Sequence, residues 1–180
     1  MGHHVANELI PLQVAVMTVS DTRDESTDTS GQTLVDKAAG AGHVLNDKVI
    51  VKDDIYQIRA HLSRWIASED TQVVLITGGT GFTGRDSTPE AVTPLLDKIV
   101  EGFGELFRAE SLKKIGGSTM QSRALAGMAN NTLVVCMPGS TGACKDGWAI
   151  IESQLDARQG PCNFVPHLKN IDIEACFTRG

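Results

Sequence analysis

The chain has 180 residues, 41% of them hydrophobic, enough for one domain whose core needs no disulfides. Aromatic residues make up only 4% while glycine reaches 18 residues, so Val, Ile, Leu and Ala must fill the core, a profile that suits a mostly parallel α/β sheet. A formal charge of -6 without any basic run argues against a nucleic-acid partner, and no apolar stretch approaches the ~20 residues that a membrane span demands.

The start MGHHVANELI lacks the charged-then-apolar pattern of a secretion signal, so a soluble, cytoplasmic protein is expected. LQVAVMTVS (12–20) is a short apolar, β-branched run that predicts a buried first strand, ending in Ser20, Asp21, Thr22 and Arg23. Residues 30–41 turn helical, with Leu34, Val35, Ala38 and Ala39 on one face and glycines near the end. VLNDKVIV (44–51) is the next strand. Asp53 or Asp54 can cap the helix that follows, in which Ile55, Ile58, Leu62, Trp65 and Ile66 recur at helical spacing. TQVVLIT (71–77) makes a third strand and runs directly into the glycine loop TGGTGFTGRD (77–86).

Thr88-Pro89-Glu90 predicts a helix start, with a capping hydroxyl, a proline in the first turn and a carboxylate near the positive end of the dipole. Leu95, Leu96 and Ile99 continue that helix, and 103–115 predicts a second one directly after it, breaking the β-α-β alternation. TLVVCMPGS (132–140) is the last strand, ending in the turn MPGSTG, and Trp148, Ile151 and Leu155 mark a closing helix. From Gly160 the tail, with Pro161 and Pro166, is expected to be extended. Cys136, Cys144, Cys162 and Cys176 contain no CxxC pair, so reduced structural thiols are expected, and adjacent His3 and His4 lack supporting metal ligands. Without repeats or linkers, one domain over 12–168 is expected between an extension at 1–11 and a tail at 169–180.

Ligands of an open parallel sheet bind beyond the carboxyl ends of its strands, where helix N-termini turn free N–H groups outward. Three polar turns lie there: SDTR (20–23), TGGTGFTGRDSTPE (77–90) and PGSTG (138–142). Gly79, Gly81 and Gly84 satisfy GxGxxG, but no strand with a terminal acidic residue follows, because a second helix is expected and Asp97 falls within the first. Gly79 and Gly84 also have P-loop spacing, yet Arg85 and Asp86 replace the Lys and Ser/Thr that hold phosphate and magnesium. What both motifs share remains: residues without side chains let the backbone approach an anion, and Arg85 adds charge. Asp86 is then a magnesium or substrate-positioning ligand, or else a helix cap. Asp53 has the same ambiguity beside Asp54. Ser20 and Asp21 end the first strand and can meet a ligand or only water. Gly139 and Ser140 form a second phosphate site or a plain tight turn, and Cys144, without a base partner, reads as packing.

TGGTGFTGRDSTPEA (77–91), with SDTR near the start and MPGSTGACKDGW (137–148), resembles the MoaB/MogA/gephyrin G-domain family of molybdenum-cofactor biosynthesis proteins. The likeness runs over 12–167, through WIASEDTQVVLITGGTG, GFGELFR, STMQSRALAG and LDARQGPCNFVPHL. It implies a MogA-like, three-layer αβα sandwich with a mostly parallel sheet that binds molybdopterin. It also implies adenylylation of the pterin's terminal phosphate with Mg-ATP, releasing pyrophosphate. Carried over by position, Asp86 and Asp53 match catalytic aspartates, with Asp86 also the magnesium ligand. Ser20, Asp21, Thr77, Gly78, Gly79, Thr80, Gly81, Arg85, Pro138, Gly139 and Ser140 match ligand-binding positions. Retention of Arg85, Asp86 and Pro89 implies an adenylyltransferase; the alternative is a molybdopterin-binding or assembly protein without turnover. The resemblance further implies a homo-oligomer, trimer or hexamer, with other cofactor-biosynthesis proteins as partners. The Trp65 helix and the 103–107 segment are expected to supply apolar surface for self-association.

Overall fold

The computed structural model describes residues 6–172, so His3, His4 and Cys176 lie outside the described residues. The strands β1 (Gln13–Val19), β2 (Val44–Val51), β3 (Val73–Thr77), β4 (Lys98–Ile99), β5 (Leu125–Ala129) and β6 (Thr132–Met137) form one sheet in the order β2-β1-β3-β6-β5-β4. The first four in that order are parallel, and β5 and β4 complete the sheet antiparallel. Because β1, β3 and β6 are covered on both faces, they read as near-continuous apolar runs rather than alternating ones.

The helices are α1 (Thr29–Gly40), α2 (Ile55–Ala67), α3 (Thr88–Val92), α4 (Glu101–Ile115) and α5 (Thr141–Ile151). On one face Leu34, Phe103, Phe107 and Trp148, from α1, α4 and α5, pack against Val14, Val16, Leu75 and Val135. On the other, Ile58, Leu62, Trp65 and Val92, from α2 and α3, cover Met17, Val74, Ile76 and Cys136. The result is the expected three-layer αβα sandwich. Burying each Val, Leu, Ile or Phe is worth about 1.5–3 kcal/mol, so this two-faced core needs no cross-link; Cys136 and Cys144 are buried free thiols and Cys162 is exposed. Among the described residues no helix is long and apolar enough to cross a membrane.

Several expectations are corrected. The helix at Thr88 does not reach Ile99: α3 stops at Val92, a single 3-10 turn occupies Thr93–Leu95, and Lys98–Ile99 is the edge strand β4. Pro94 contributes to this, since it has no N–H to continue the helical ladder; Thr93 itself remains helical, and the chain turns extended at Leu96. Asp97 therefore lies outside any helix, and its Oδ2 accepts the Asn130 amide at 2.7 Å. A short strand, not a second helix, follows α3, but it is antiparallel and at the sheet edge, so the dinucleotide fingerprint still fails. The strand β5 was not expected, and β6 ends at Met137 rather than 140. Asn130 and Asn131, both at positive φ (45° and 56°), join β5 to β6 as a two-residue hairpin.

The tail is not simply extended: Val165–His167 is a 3-10 turn, Val165 and Leu168 are buried, and Lys169 Nζ donates to the Ile66 and Ser68 carbonyls at the end of α2. In the segments expected to supply apolar surface, Trp65, Phe103 and Phe107 are themselves no more than 4% exposed, and that surface comes from Tyr56 of α2 and Leu106 of α4. The other large exposed apolar residues of α4 are Leu112 and Ile115.

Candidate functional site

The chain leaves β1 into α1 on one face of the sheet and leaves the neighbouring β3 into α3 on the other, so the carboxyl ends of β1 and β3 diverge there. That divergence places a ligand crevice between neighbouring strands. An open cavity of about 740 Å³ occupies the position. Its walls include Ser20 and Arg23 after β1, Gly78 to Gly81 and Asp86 after β3, and Pro138 to Ser140 after β6. All three sequence-derived turns thus meet at one cavity.

Gly78 has φ +103°, and any Cβ there would fall on the Val19 carbonyl oxygen; Gly79 has φ +63°, and its Cβ would lie 2.7 Å from Asp53 Oδ2. Only glycine fits both demands. The loop's carbonyls are all engaged internally. Gly78 O accepts the Thr88 hydroxyl at 2.8 Å, Gly79 O the Thr88 amide at 2.9 Å, Thr80 O the Arg123 Nε at 3.2 Å, and Gly81 O an Arg123 terminal nitrogen. The Gly78 amide is spent on Met137 O at 3.0 Å. No acceptor among the described residues takes the amides of Gly79 and Thr80. A loop that consumes its oxygens and spares its N–H groups is built for an anion.

Asp54, not Asp53, caps α2: its Oδ1 accepts the Tyr56 and Gln57 amides, each at 2.9 Å. Asp53 is left for the loop, where its Oδ1 accepts the Ser87 amide at 2.9 Å and the Ser87 hydroxyl at 2.6 Å. Asp86 is not a helix cap either, since Ser87 holds that position. The Asp86 Oδ2 accepts the Thr83 amide at 2.8 Å and the Thr83 hydroxyl at 2.6 Å. The Thr83 hydroxyl above all, with the Thr83 and Gly81 amides and the Arg123 charge, holds this carboxyl below the ordinary aspartate value, against an opposing effect of burial. It is anionic at neutral pH.

Arg85, 72% exposed at its side chain, pairs with Asp21 Oδ2 at 2.8 Å, and Asp21 Oδ1 accepts the Asp53 amide at 3.3 Å. Asp21, Asp53 and Arg85 thus stand beside the cavity rather than in its walls. Thr77 is fully buried; its Oγ1 donates to the Pro138 carbonyl at 3.1 Å and shares a hydrogen bond with Cys144. Its side chain braces the second turn from behind. Burial pushes the Cys144 thiol up to about 11, which suits packing and not nucleophilic attack.

At the second turn Ser140 caps α5 by accepting the Ala143 amide at 3.1 Å. Arg23, unassigned from sequence, donates to the Gly139 carbonyl at 2.9 Å and to the Ser30 hydroxyl. Behind it sits the fully buried carboxylate of Asp28, which accepts the Thr18 hydroxyl and the Gly31 amide, each at 2.9 Å, and faces Lys48 at 3.3 Å. The far wall, formed by Ser111, Lys114, Ser118 and Gln121 with Asp146 of α5, was likewise missed. Arg123 reaches the glycine loop, and this wall the cavity, only through tertiary packing, and no local motif marks them.

Among the described residues no three His, Cys, Asp or Glu side chains gather into a metal cage. Asp86, with one oxygen spent on Thr83, stands in the wall, and Asp53, with one oxygen spent on Ser87, stands beside it, while Asp146 of the far wall is paired with Lys114. Single carboxylates fit magnesium, which proteins bind through one or two such groups plus substrate phosphates and water.

Residues 15–157 match the family described as "Probable molybdopterin binding domain". The chain is 60% identical over 166 residues to molybdenum cofactor biosynthesis protein B of Escherichia coli (strain K12), covering 92% of this chain and 98% of that protein. A crystal structure of molybdenum cofactor biosynthesis protein B superposes with TM-score 0.78 at 44% identity, over 81% of this chain and 92% of that one. The tungsten cofactor synthesizing protein MoaB from Pyrococcus furiosus superposes with TM-score 0.73 at 37% identity, again over 81% and 92%.

Proposed function

We propose, for a chain that belongs to the family of molybdopterin-binding domains, that it binds molybdopterin in the 740 Å³ cavity as a molybdenum-cofactor biosynthesis protein and adenylylates the pterin's terminal phosphate. The observation that carries the reading is the loop 78–81: its carbonyls are engaged, its Gly79 and Thr80 amides are spared, and an ionised Asp86 stands at the same wall.

In this reaction a terminal phosphate oxygen of molybdopterin attacks the α-phosphorus of ATP in line. The bond to the bridging oxygen breaks and pyrophosphate leaves with the electron pair. No covalent enzyme nucleophile is needed, so catalysis is positioning and charge neutralisation. The spared amides orient a phosphate, and the turn at 138–140, held by Arg23, presents the start of α5 to a second anionic group. Asp86 would hold magnesium, which would supply charge neutralisation on the phosphate oxygens, with Asp53 beside it as the second catalytic carboxylate. The binding domain spans 12–168 in this reading. The protein acts in the cytoplasm as a trimer or hexamer beside other cofactor-biosynthesis proteins, and a monomer in light scattering would contradict the assembly.

A second reading, molybdopterin binding without turnover, is favoured by the internal engagement of the charged groups. Asp53 is held by Ser87, Asp86 by Thr83, and Arg85 by Asp21. Incubation with molybdopterin and Mg-ATP separates the two: adenylylated pterin with pyrophosphate supports the first, and bound pterin without pyrophosphate supports the second.

A further inference from the structure

Arg23 follows β1 and stands in the wall of the cavity, together with the glycine loop and the turn at 138–140. One terminal nitrogen of its guanidinium donates to Gly139 O at 2.9 Å and the other to the Ser30 hydroxyl, so the group is fixed at both ends. Its Nε–H and the second hydrogen on each terminal nitrogen have no acceptor among the described residues. The cavity wall therefore holds a rigid guanidinium with donors to spare.

Its charge is surplus as well. Behind it lies Asp28, whose wholly buried carboxylate is satisfied by other groups: Oδ2 accepts the Thr18 hydroxyl at 2.9 Å and faces Lys48 Nζ at 3.3 Å, and Oδ1 accepts the Gly31 amide at 2.9 Å. Arg23 comes only to 3.9 Å of Asp28, too far for a hydrogen bond. Two cations thus meet one carboxylate, and no other carboxylate among the described residues forms an ion pair with Arg23. Lys114, the other cation in the cavity wall, is neutralised by Asp146 at 2.5 Å. With its side chain only 29% exposed, Arg23 is a cation partly withdrawn from water without a full counter-charge, a cost that a bound anion offsets.

We propose that Arg23 contacts the ligand directly, as the cation that takes a phosphate-class oxyanion at the second turn. The inference rests on the proposed phosphate-binding cavity, where the spared Gly79 and Thr80 amides receive one anionic group and Arg23 receives the other. A planar guanidinium matches two oxygens of one phosphate, and the positive end of the α5 dipole at the same turn adds to its pull. The pterin's terminal phosphate and the polyphosphate of the nucleotide carry the same chemistry, and titration separates them.

Molybdopterin and Mg-ATP are titrated separately into the isotope-labelled full chain while the Arg23 Nε–H resonance is followed. In the wild type that resonance shifts with at least one of them, which identifies the source of the anion; a resonance unmoved at saturation with both overturns the proposal. Arg23→Gln keeps an N–H donor and removes the charge, so it binds that ligand at least about tenfold more weakly, whereas binding of both ligands within about twofold of wild type overturns the proposal. Cys144 reports on the turn itself, because its thiol lies against Thr77 and the Pro138 carbonyl. A Cys144 that stays protected from alkylation in Arg23→Gln assigns the lost affinity to the missing contact. Should Cys144 become reactive, the wild-type resonance, which needs no variant, decides: a shift upholds the contact, and its absence leaves Arg23 a structural tether. If the resonance shifts but Mg-ATP and molybdopterin yield no pyrophosphate, adenylylation fails and the role of Arg23 stands. Pyrophosphate release by Arg23→Gln with wild-type KM for both substrates gives the converse.

Discussion

Asp53 grips Ser87 twice, through the amide at 2.9 Å and the hydroxyl at 2.6 Å, tying the end of β2 to the exit of the glycine loop. Its neighbour Asp54 serves only α2. The pair therefore separates chemistry from capping. Asp54→Ala should cost about 1 kcal/mol of stability, the usual worth of an N-cap, and leave turnover unchanged. Asp53→Ala should lower turnover by about two orders of magnitude or more. Melting curves beside pyrophosphate-release rates read both, and equal turnover for the two variants would reject the division.

Gly79 and Gly84 make a matched test of the loop. A Cβ at Gly79 strains φ +63° and crowds the Asp53 carboxylate, whereas a Cβ at Gly84 meets nothing within 4 Å. Gly79→Ala should destabilise by about 1–3 kcal/mol and abolish pterin binding. Gly84→Ala should stay within about 0.5 kcal/mol of wild type. Thermal unfolding and pterin titration check the pair.

How far such positions could be read in advance differed by the range of the forces involved. The strands β1, β2 and β3, the helices α1 and α2, and the turn residues Gly78 to Gly81 follow from local pattern: apolar runs, helical spacing and backbone freedom. The strand β5 escaped because LAGMA has little β preference and becomes a strand by pairing with β6; the signal that did exist was Asn130-Asn131. The helix at Thr88 was overextended by counting Leu95 and Leu96 and discounting Pro94. Asp53 and Asp54 are indistinguishable in one dimension, since only packing against Ser87 decides which is the cap. Arg23 and Arg123 act on backbone atoms remote in sequence, and such contacts leave no local trace.

Stability should depend on pH through His43. Its Nδ1 accepts the Leu12 amide at 3.2 Å, so the fold uses the neutral ring. Burial lowers its folded pKa below the ordinary 6.5, and nearby Asp156 and Glu152 oppose that only in part. With the folded value below the unfolded one, this contribution is complete above about pH 6.5 and is lost as pH falls from there toward the folded value. Urea midpoints should drop between pH 7.5 and 5.5, conditions spanning the ordinary histidine range, and the drop should shrink in His43→Leu.

Thiol labelling should discriminate by burial. Cys136 and Cys144 are buried with pKa values raised by desolvation, while Cys162 is exposed. Alkylation of the native protein followed by peptide mapping should mark Cys162 and spare the other two until denaturant is added. Early labelling of Cys144 would contradict its role as packing against Thr77.

The central claim concerns Asp86, whose charge stands at the wall of the cavity proposed to hold the phosphate. Asp86→Asn keeps an oxygen for the Thr83 hydroxyl and removes the charge, so it tests chemistry with the loop intact. Pyrophosphate release from Mg-ATP in the presence of molybdopterin is the measurement. The predicted result is turnover by the wild type and a loss of about two orders of magnitude or more in the variant; equal rates in the two proteins would contradict the account.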